Sequence, residues 1–462
     1  MDQAGRTPIG KRILGALGAC LTAACASNAP YHTASDDGGA CRTDPDSPAC
    51  RSSAYQEFER FDLAFAEFSE RGNAFDDARV EAVLAKIAAK ARADGVVLIV
   101  FVHGWKHNAS EDDPNVLSFK DSLETMTGVL GSSFAGTALG SRRLVGVYVG
   151  WRGASIELPL LKELTFWDRK AVAEELGSGG VTRLLLDLDR ITAGEARNVM
   201  VVVGHSFGGA IVVRALSDLI TERVTNRADD ERARVFADGV LVLNPAIEAN
   251  QALPFVEAAL QRPYARDQLP LFISISSDAD AATHYAFPAG QTIGLAMWRQ
   301  ADLQRSYYHD RRAPEQPLPL RERHLDATTA GNFAPFLTHR LHADGEGEAL
   351  RFTLDTCEAA GERCRPMGWT TLSGQPTIGP LPAHYPLYFI KTDKSVMTDH
   401  NDIFNQKVRS FVFTVIDDVV RRALVGGVKA ARGEGEPPLI ASPDRFAARM
   451  NALWSQMGSG AR

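Results

Sequence analysis

The stretch that most constrains this chain runs from Val199 to Ala215. Five apolar residues, Val199 to Val203, lead into Gly204-His205-Ser206-Phe207-Gly208-Gly209. Ile211, Ala215 and Leu219 then form one apolar row, with Val212, Leu216 and Ile220 beside it. The first block predicts a buried strand, and the last has the spacing of a helix with a wide buried face. Between them, Gly-x-Ser-x-Gly puts Ser206 on a sharp strand-to-helix turn, where its hydroxyl stands clear of the sheet edge. The flanking glycines avoid collisions that a Cβ would cause. A serine at a helix amino terminus also meets N–H groups and a dipole that favour a developing negative charge.

The rest of the chain repeats the strand–helix alternation. Val96 to Val102 is continuously apolar and ends in His103-Gly104-Trp105-Lys106-His107-Asn108. Leu144 to Val149 ends in Gly150-Trp151-Arg152-Gly153, and Gly239 to Leu243 ends in Asn244-Pro245-Ala246, with Glu248 close behind. Leu271 to Ile275 leads to Ser276-Ser277-Asp278-Ala279-Asp280, and Leu387 to Ile390 leads to Lys391 through His400. Phe61, Leu63 and Phe65 alternate as a first strand, and helices are predicted near 80–87, 112–130, 181–191, 251–260 and 404–419. Runs apolar on both faces belong to parallel strands covered by helices, so the fold class is α/β, a mostly parallel doubly wound sheet. With 462 residues and 45% hydrophobic content, the chain can bury a large core. Residues 283–386 break the alternation and read as a lid-like insertion before the last strand, over the edge that carries Ser206. Arg311, Arg312, Arg321 and Arg323 in it read as a solvated mixed-charge loop or as a site for anionic groups.

The amino terminus reads as a targeting segment. Lys11 and Arg12 precede an apolar, small-residue stretch, Ile13 to Ala24. Leu21-Thr22-Ala23-Ala24-Cys25 resembles a bacterial lipobox, which implies cleavage after Ala24 and a lipid on Cys25. Cys20 is a second candidate, and an ordinary signal peptide is the alternative. The expected organisation is a lipoprotein signal peptide (1–24), a flexible tether (25–54), a catalytic domain (55–430) and a carboxy-terminal tail (431–462). Ala26 after the cysteine implies sorting to the outer membrane of a bacterial envelope. Of the six cysteines, Cys41, Cys50, Cys357 and Cys364 remain for disulfides in an oxidising compartment, and the expected pairs are Cys41–Cys50 and Cys357–Cys364. A net charge of −7 argues against a nucleic-acid partner.

The turn at Gly204 to Gly208, the His103-Gly104-Trp105 loop and the late His400 resemble the α/β-hydrolase superfamily, over about residues 55–424. Within it they look like a group of poorly characterised bacterial serine hydrolases, esterase- or lipase-like lipoproteins with a Gly-Trp-Arg-Gly strand end. The resemblance implies a triad in the order serine, acid, histidine. Ser206 is then the nucleophile and His400, after the last strand, the base. Asp280 is the first-ranked acid, with Asp278 and Glu248 as alternatives. It also implies an oxyanion hole from the N–H groups of Phe207 and Trp105, with Gly104 letting the backbone approach.

His103, Trp151 and Trp167 are candidates for the substrate pocket. Hydrogen bonding within its loop is the simpler role for His103, and core packing the simpler one for Trp151. The apolar cluster from Leu158 to Trp167 reads as an amphipathic helix, or as a lid or acyl pocket. His103 and His107 lack the helix and glutamate of a zinc site, and neither a metal nor an organic cofactor is called for. The expected activity is hydrolysis of a carboxylic ester through an acyl-enzyme. An envelope location favours lipid esters, and the partners are a small-molecule or lipid ester and, through the anchor, a membrane. An acyltransferase or peptidase on the same triad, and a non-catalytic envelope lipoprotein that binds through this scaffold, are the alternatives.

Overall fold

In the computed structural model the described residues are 29–459, apart from 136–141, 154–165, 194–197, 227–231, 289–290, 292–299, 306–307, 311–312, 318, 358–375, 379 and 430–435. Ten strands form the main sheet. They are β1 (Tyr55–Glu57), β2 (Phe61–Glu67), β3 (Val96–Val102), β4 (Arg143–Gly150), β5 (Val199–His205), β6 (Gly239–Leu243), β7 (Phe272–Ser277), β8 (His339–Asp344), β9 (Arg351–Thr356) and β10 (Leu387–Thr392). Their order across the sheet is β1-β2-β4-β3-β5-β6-β7-β10-β8-β9. Every pairing is parallel except β1 with β2 and β8 with β9, at the two margins. The fold is therefore mixed α/β with a mostly parallel sheet, an α/β-hydrolase-like arrangement.

Successive side chains of a strand point to opposite faces, and β3 divides accordingly. Leu98, Val100 and Val102 join one core with α1 (Asp77–Ala93), α4 (Gly180–Ala193), α5 (Phe207–Thr225) and α6 (Ala249–Ala259). Val97, Ile99 and Phe101 join the other with α2 (Pro114–Ser133), α7 (Gln406–Lys429) and α8 (Pro443–Ser459). A further helix, α3 (Phe166–Leu176), lies between β4 and α4 in sequence. Because the central strands are parallel, all their carboxy-terminal ends, and the loops that follow them, lie along one edge. That edge carries Glu67, His103, Trp151, Ser206, Asn244, Asp280 and the loop of His400.

Two sequence expectations need correction. Residues 29–54 are not a free tether. Two short helical turns, Ala40–Thr43 and Pro48–Arg51, are joined by the Cys41–Cys50 disulfide, and both cysteines are buried. Ala34 bridges Ser53, and the backbone N–H groups of Tyr31 and His32 donate to the Glu67 carboxylate at 2.8 Å each. The domain thus begins before Tyr55. The insertion is more than a lid, since β8 and β9 extend the main sheet beside β10. The carboxy-terminal tail packs on the domain: α8 buries Phe446, Met450 and Leu453, and Asn451 Oδ1 accepts from the Phe352 N–H of β9 at 2.8 Å.

Several expectations fall outside the described residues. They are the signal segment with Cys20 and Cys25, the apolar residues Leu158 to Leu164, Arg311 and Arg312, and the side chain of Trp167. Arg321 and Arg323 are exposed. Cys357 is disulfide-bonded, while Cys364, its expected partner, lies outside the described residues.

Candidate active site

Ser206 sits between β5 and α5 with φ 54° and ψ −120°. A non-glycine residue at positive φ is strained, and the surrounding packing must hold it there. The Ser206 N–H donates to the Leu243 carbonyl at 3.1 Å, and its own carbonyl accepts from the N–H groups of Ala210 and Ala246, each at 3.1 Å. A Cβ at Gly208 would run into the carbonyls of Val102 and His103, so this helix start can lie against β3 only as glycine.

The serine hydroxyl meets the imidazole of His400, with Oγ 2.7 Å from Nε2. The other ring nitrogen, Nδ1, is 2.8 Å from Asp280 Oδ2. Ser206 and Asp280 are buried, while His400 keeps some exposure. Asp280 also accepts from the Ala282 N–H at 2.9 Å, the Thr283 N–H at 3.1 Å and the Thr283 hydroxyl at 2.6 Å. Burial works to raise the pKa of this carboxyl, but the hydrogen bonds and charge of His400 and the Thr283 donors outweigh it and hold it below its ordinary value. Asp280 is thus an ionised acceptor that fixes Nδ1 as the protonated nitrogen and leaves Nε2 facing the hydroxyl.

The other two candidate acids are engaged elsewhere. Asp278 forms ion pairs with Arg340 (3.0 Å) and with the fully buried Lys391 (3.2 Å). Glu248 lies 2.7 Å from Lys170 Nζ and accepts from Gln291.

The His103-Gly104-Trp105 loop packs directly on Ser206. A Cβ on Gly104 would lie 2.8 Å from the Ser206 Cβ and 2.9 Å from His205 Nδ1. Phe207 follows the serine at the first position of α5. His103 and Trp151, offered as pocket residues, are buried and bind each other instead. His103 Nδ1 lies 2.9 Å from the Gly104 carbonyl, Nε2 accepts from the Trp151 N–H at 3.1 Å, and Trp151 Nε1 donates to the His103 carbonyl at 2.9 Å. Burial lowers the pKa of His103 to about 4, so it is neutral, as an accepting Nε2 requires. Both His103 nitrogens are taken, and His107 Nδ1 lies 3.0 Å from Asp113 Oδ1. No group of three metal-ligating side chains occurs among the described residues.

Two contributors were not singled out from sequence. His205, next to Ser206, is buried, and its Nε2 lies 2.9 Å from the His400 carbonyl. Burial and the neighbouring His400 push its pKa far down, so it stays neutral and donates from Nε2. Asn244, at the end of β6 with φ 42°, donates from Nδ2 to the same carbonyl at 3.1 Å and accepts the Ser277 N–H at 3.0 Å. The available signal was Asn244-Pro245 at a strand end, since asparagine tolerates the left-handed region.

No known protein family and no curated protein matches this sequence. Among solved structures, the chain is similar to phospholipase PlaB from Legionella pneumophila, in complex with thio-NAD (12% identity, TM-score 0.26) and without it (11%, 0.23). Each match covers 77% of this chain, which spans only 63% and 64% of the length of those structures. At these TM-scores the likeness carries no weight for activity.

Proposed function

We propose that this chain is a serine hydrolase that cleaves carboxylic esters through an acyl-enzyme. The observation that supports this reading is the unbroken relay Ser206 Oγ, His400 Nε2, His400 Nδ1, Asp280 Oδ2, with contacts of 2.7 Å and 2.8 Å. Ser206 Oγ attacks the ester carbonyl carbon as its proton passes to His400 Nε2. The oxyanion takes hydrogen bonds from the N–H groups of Phe207 and Trp105, each worth on the order of 10²–10³ in rate. Collapse expels the alcohol, which leaves with the proton held on His400, and the acyl group stays on Ser206. Water then loses a proton to His400, attacks the acyl carbon and releases the carboxylic acid, returning the proton to Ser206. The Asp280 carboxylate stabilises the imidazolium in both halves, and neutral His205 adds no opposing charge beside it.

Purified protein lacking residues before Ser27 should hydrolyse p-nitrophenyl esters and be labelled by a fluorophosphonate probe, with both lost in Ser206→Ala. Folded protein that neither labels nor turns over any ester from acetate to palmitate refutes the reading. We also infer that Cys25 carries a lipid anchor in the cell envelope. The mass of the amino-terminal peptide tests this, and an unmodified Cys25 refutes it.

A further inference from the structure

The fastening of the amino-terminal segment has a direction. Tyr31 and His32 are bound to Glu67, the last residue of β2, at the carboxy-terminal edge of the parallel sheet. The buried His32 ring stacks on Phe65 at 3.6 Å and lies between Glu67 (2.9 Å) and Glu111 (3.3 Å). Glu111 belongs to the loop after β3, on the same edge. The chain therefore enters the domain on the edge that carries Ser206. Glu67 is separated from the Ser206 strand by three strand spacings, β2 to β4 to β3 to β5, or about 14 Å. From Cys25 to Tyr31 the backbone can span at most about 20 Å.

An independent observation concerns the surface. Among the described residues four large hydrophobics are exposed: Tyr31 (39%), Leu117 (53%), Tyr285 (59%) and Leu381 (43%). Tyr31 is at the fastening point. Leu117 lies in the first turn of α2, which begins where the loop after β3 ends, and Tyr285 follows Asp280 in the segment after β7. All three are on the catalytic edge. Leu381 precedes β10 and lies toward the opposite edge, where Leu271, just before β7, donates to the Pro386 carbonyl. Tyrosine and leucine side chains on one rim are what a membrane interface takes up, the ring at headgroup level and the aliphatic chain below it.

We propose that the carboxy-terminal edge of the sheet is a bilayer-facing surface, held against the membrane by the short span between Cys25 and the Glu67 clasp, with Tyr31, Leu117 and Tyr285 entering the headgroup layer. The esters that reach Ser206 are then lipids of the membrane that holds the anchor. This substrate assignment rests on the serine-hydrolase reading; the surface itself does not. The three side chains are uncharged and the whole chain carries a net charge of −7, so the proposed attachment is apolar and zwitterionic phosphatidylcholine is the fitting probe.

The test uses the full chain, isolated with its anchor and reconstituted into phosphatidylcholine vesicles that contain headgroup spin-labelled phosphatidylcholine. A fluorophore is attached at Leu117→Cys, Tyr285→Cys or Leu381→Cys in separate preparations. Several-fold stronger quenching is expected at 117 and 285 than at 381. Equal quenching at the three sites, no quenching at 117 and 285, or recovery of the chain without a lipid on Cys25 overturns the proposal. Quenching needs no turnover, so a protein that is quenched as expected but cleaves no ester retains this surface and loses the hydrolase reading.

A flexible insertion of about 30 Gly/Ser residues between Asn28 and Ala29 supplies a second readout, because such a chain spans some 30 Å on average. It should lower turnover of the vesicles' own phospholipid several-fold and leave p-nitrophenyl acetate hydrolysis unchanged. Unchanged turnover of both, or equal loss of both, overturns the orienting role of the clasp.

Discussion

Asn244→Ala tests whether His400 is positioned through its backbone. The substitution removes the hydrogen bond that Asn244 accepts from the Ser277 N–H and those it donates to the His400 and Asp399 carbonyls and to Met397 Sδ. The Ser277 N–H, now accepted by Asn244 Oδ1 at 3.0 Å, is left buried without that acceptor, and the His400 carbonyl loses the Nδ2 donor at 3.1 Å while keeping His205 at 2.9 Å. Stranding a buried donor costs about 1–3 kcal/mol, and losing one of two donors to a carbonyl about 0.5–1.5 kcal/mol. Asn244 has φ 42°, where alanine adds about 1–2 kcal/mol. Together these give roughly 3–6 kcal/mol of lost stability, read by urea unfolding.

The loop that carries His400 is also released on one side, and a 1 Å misplacement of a catalytic group costs on the order of 10² in rate. In p-nitrophenyl acetate hydrolysis kcat should fall about that much while KM changes little, because the group affected acts on the bond-making step. Asn244→Gly separates the terms. It accepts the positive φ, so it should recover about 1–2 kcal/mol of stability but none of the lost kcat. Folded Asn244→Ala protein with wild-type kcat, or a glycine variant that restores kcat, refutes the positioning argument.

Gly104→Ala should leave the fold intact and cut fluorophosphonate labelling by about 10² or more, because its Cβ would press on the Ser206 Cβ at 2.8 Å and on the His205 carbonyl at 3.0 Å. Labelling at the wild-type rate would show that the loop yields without moving Ser206. The clasp at His32 predicts a pH dependence. Burial works against the charged ring, but hydrogen bonds with Glu111 and Glu67 outweigh it, so the pKa stands above its ordinary 6.5. A group whose folded pKa is raised gives stability that is fully present below its unfolded value and is lost as pH rises through the folded one. The stability margin of the wild type over His32→Gln, from urea unfolding, should therefore narrow as pH climbs above 6.5. A margin that is constant or widens with pH refutes the charged clasp.

Much of the fold was legible because its determinants are local. Runs such as Val96 to Val102 and Val199 to Val203 can satisfy both apolar faces only inside a parallel sheet, and these strands, like the alternating one at Phe61 to Phe65, occur within a few residues of their expected limits. The misread segments are those whose order comes from distant partners. Residues 29–54 are polar, and they are held by a disulfide and by His32 reaching Glu67 and Glu111, 35 and 79 residues away. No periodicity reports such contacts. The strands β8 and β9 did carry a signal. Leu341 alternates with Arg340 and His342, and Phe352 and Leu354 alternate with Thr353, with the apolar members buried. The surrounding charged and proline-rich sequence obscured it. In α8, Phe446, Met450 and Leu453 have the spacing of a packed helical face, a weak helical signal in the tail that did not report the core it joins.

The choice of acid shows where sequence reasoning reaches its limit. Asp278 and Asp280 sit two residues apart in one loop, with nothing local to separate their roles. What separates them is the charge opposite each. Arg340 comes from β8 and Lys391 from β10, and both converge on Asp278. Lys391 is fully buried, and burial drives its pKa down against the pull of Asp278, so this ion pair is a structural brace at the base of the loop. With Asp278 neutralised by two cations, Asp280 is the carboxylate left to accept from Thr283 and from His400. An insertion that looked like a cover over the site thus contributes, through Arg340, to deciding which of two neighbouring aspartates meets the histidine. The assignment depends on strands 60 and 111 residues beyond the loop, which is why it emerges only once β8 and β10 are seen side by side.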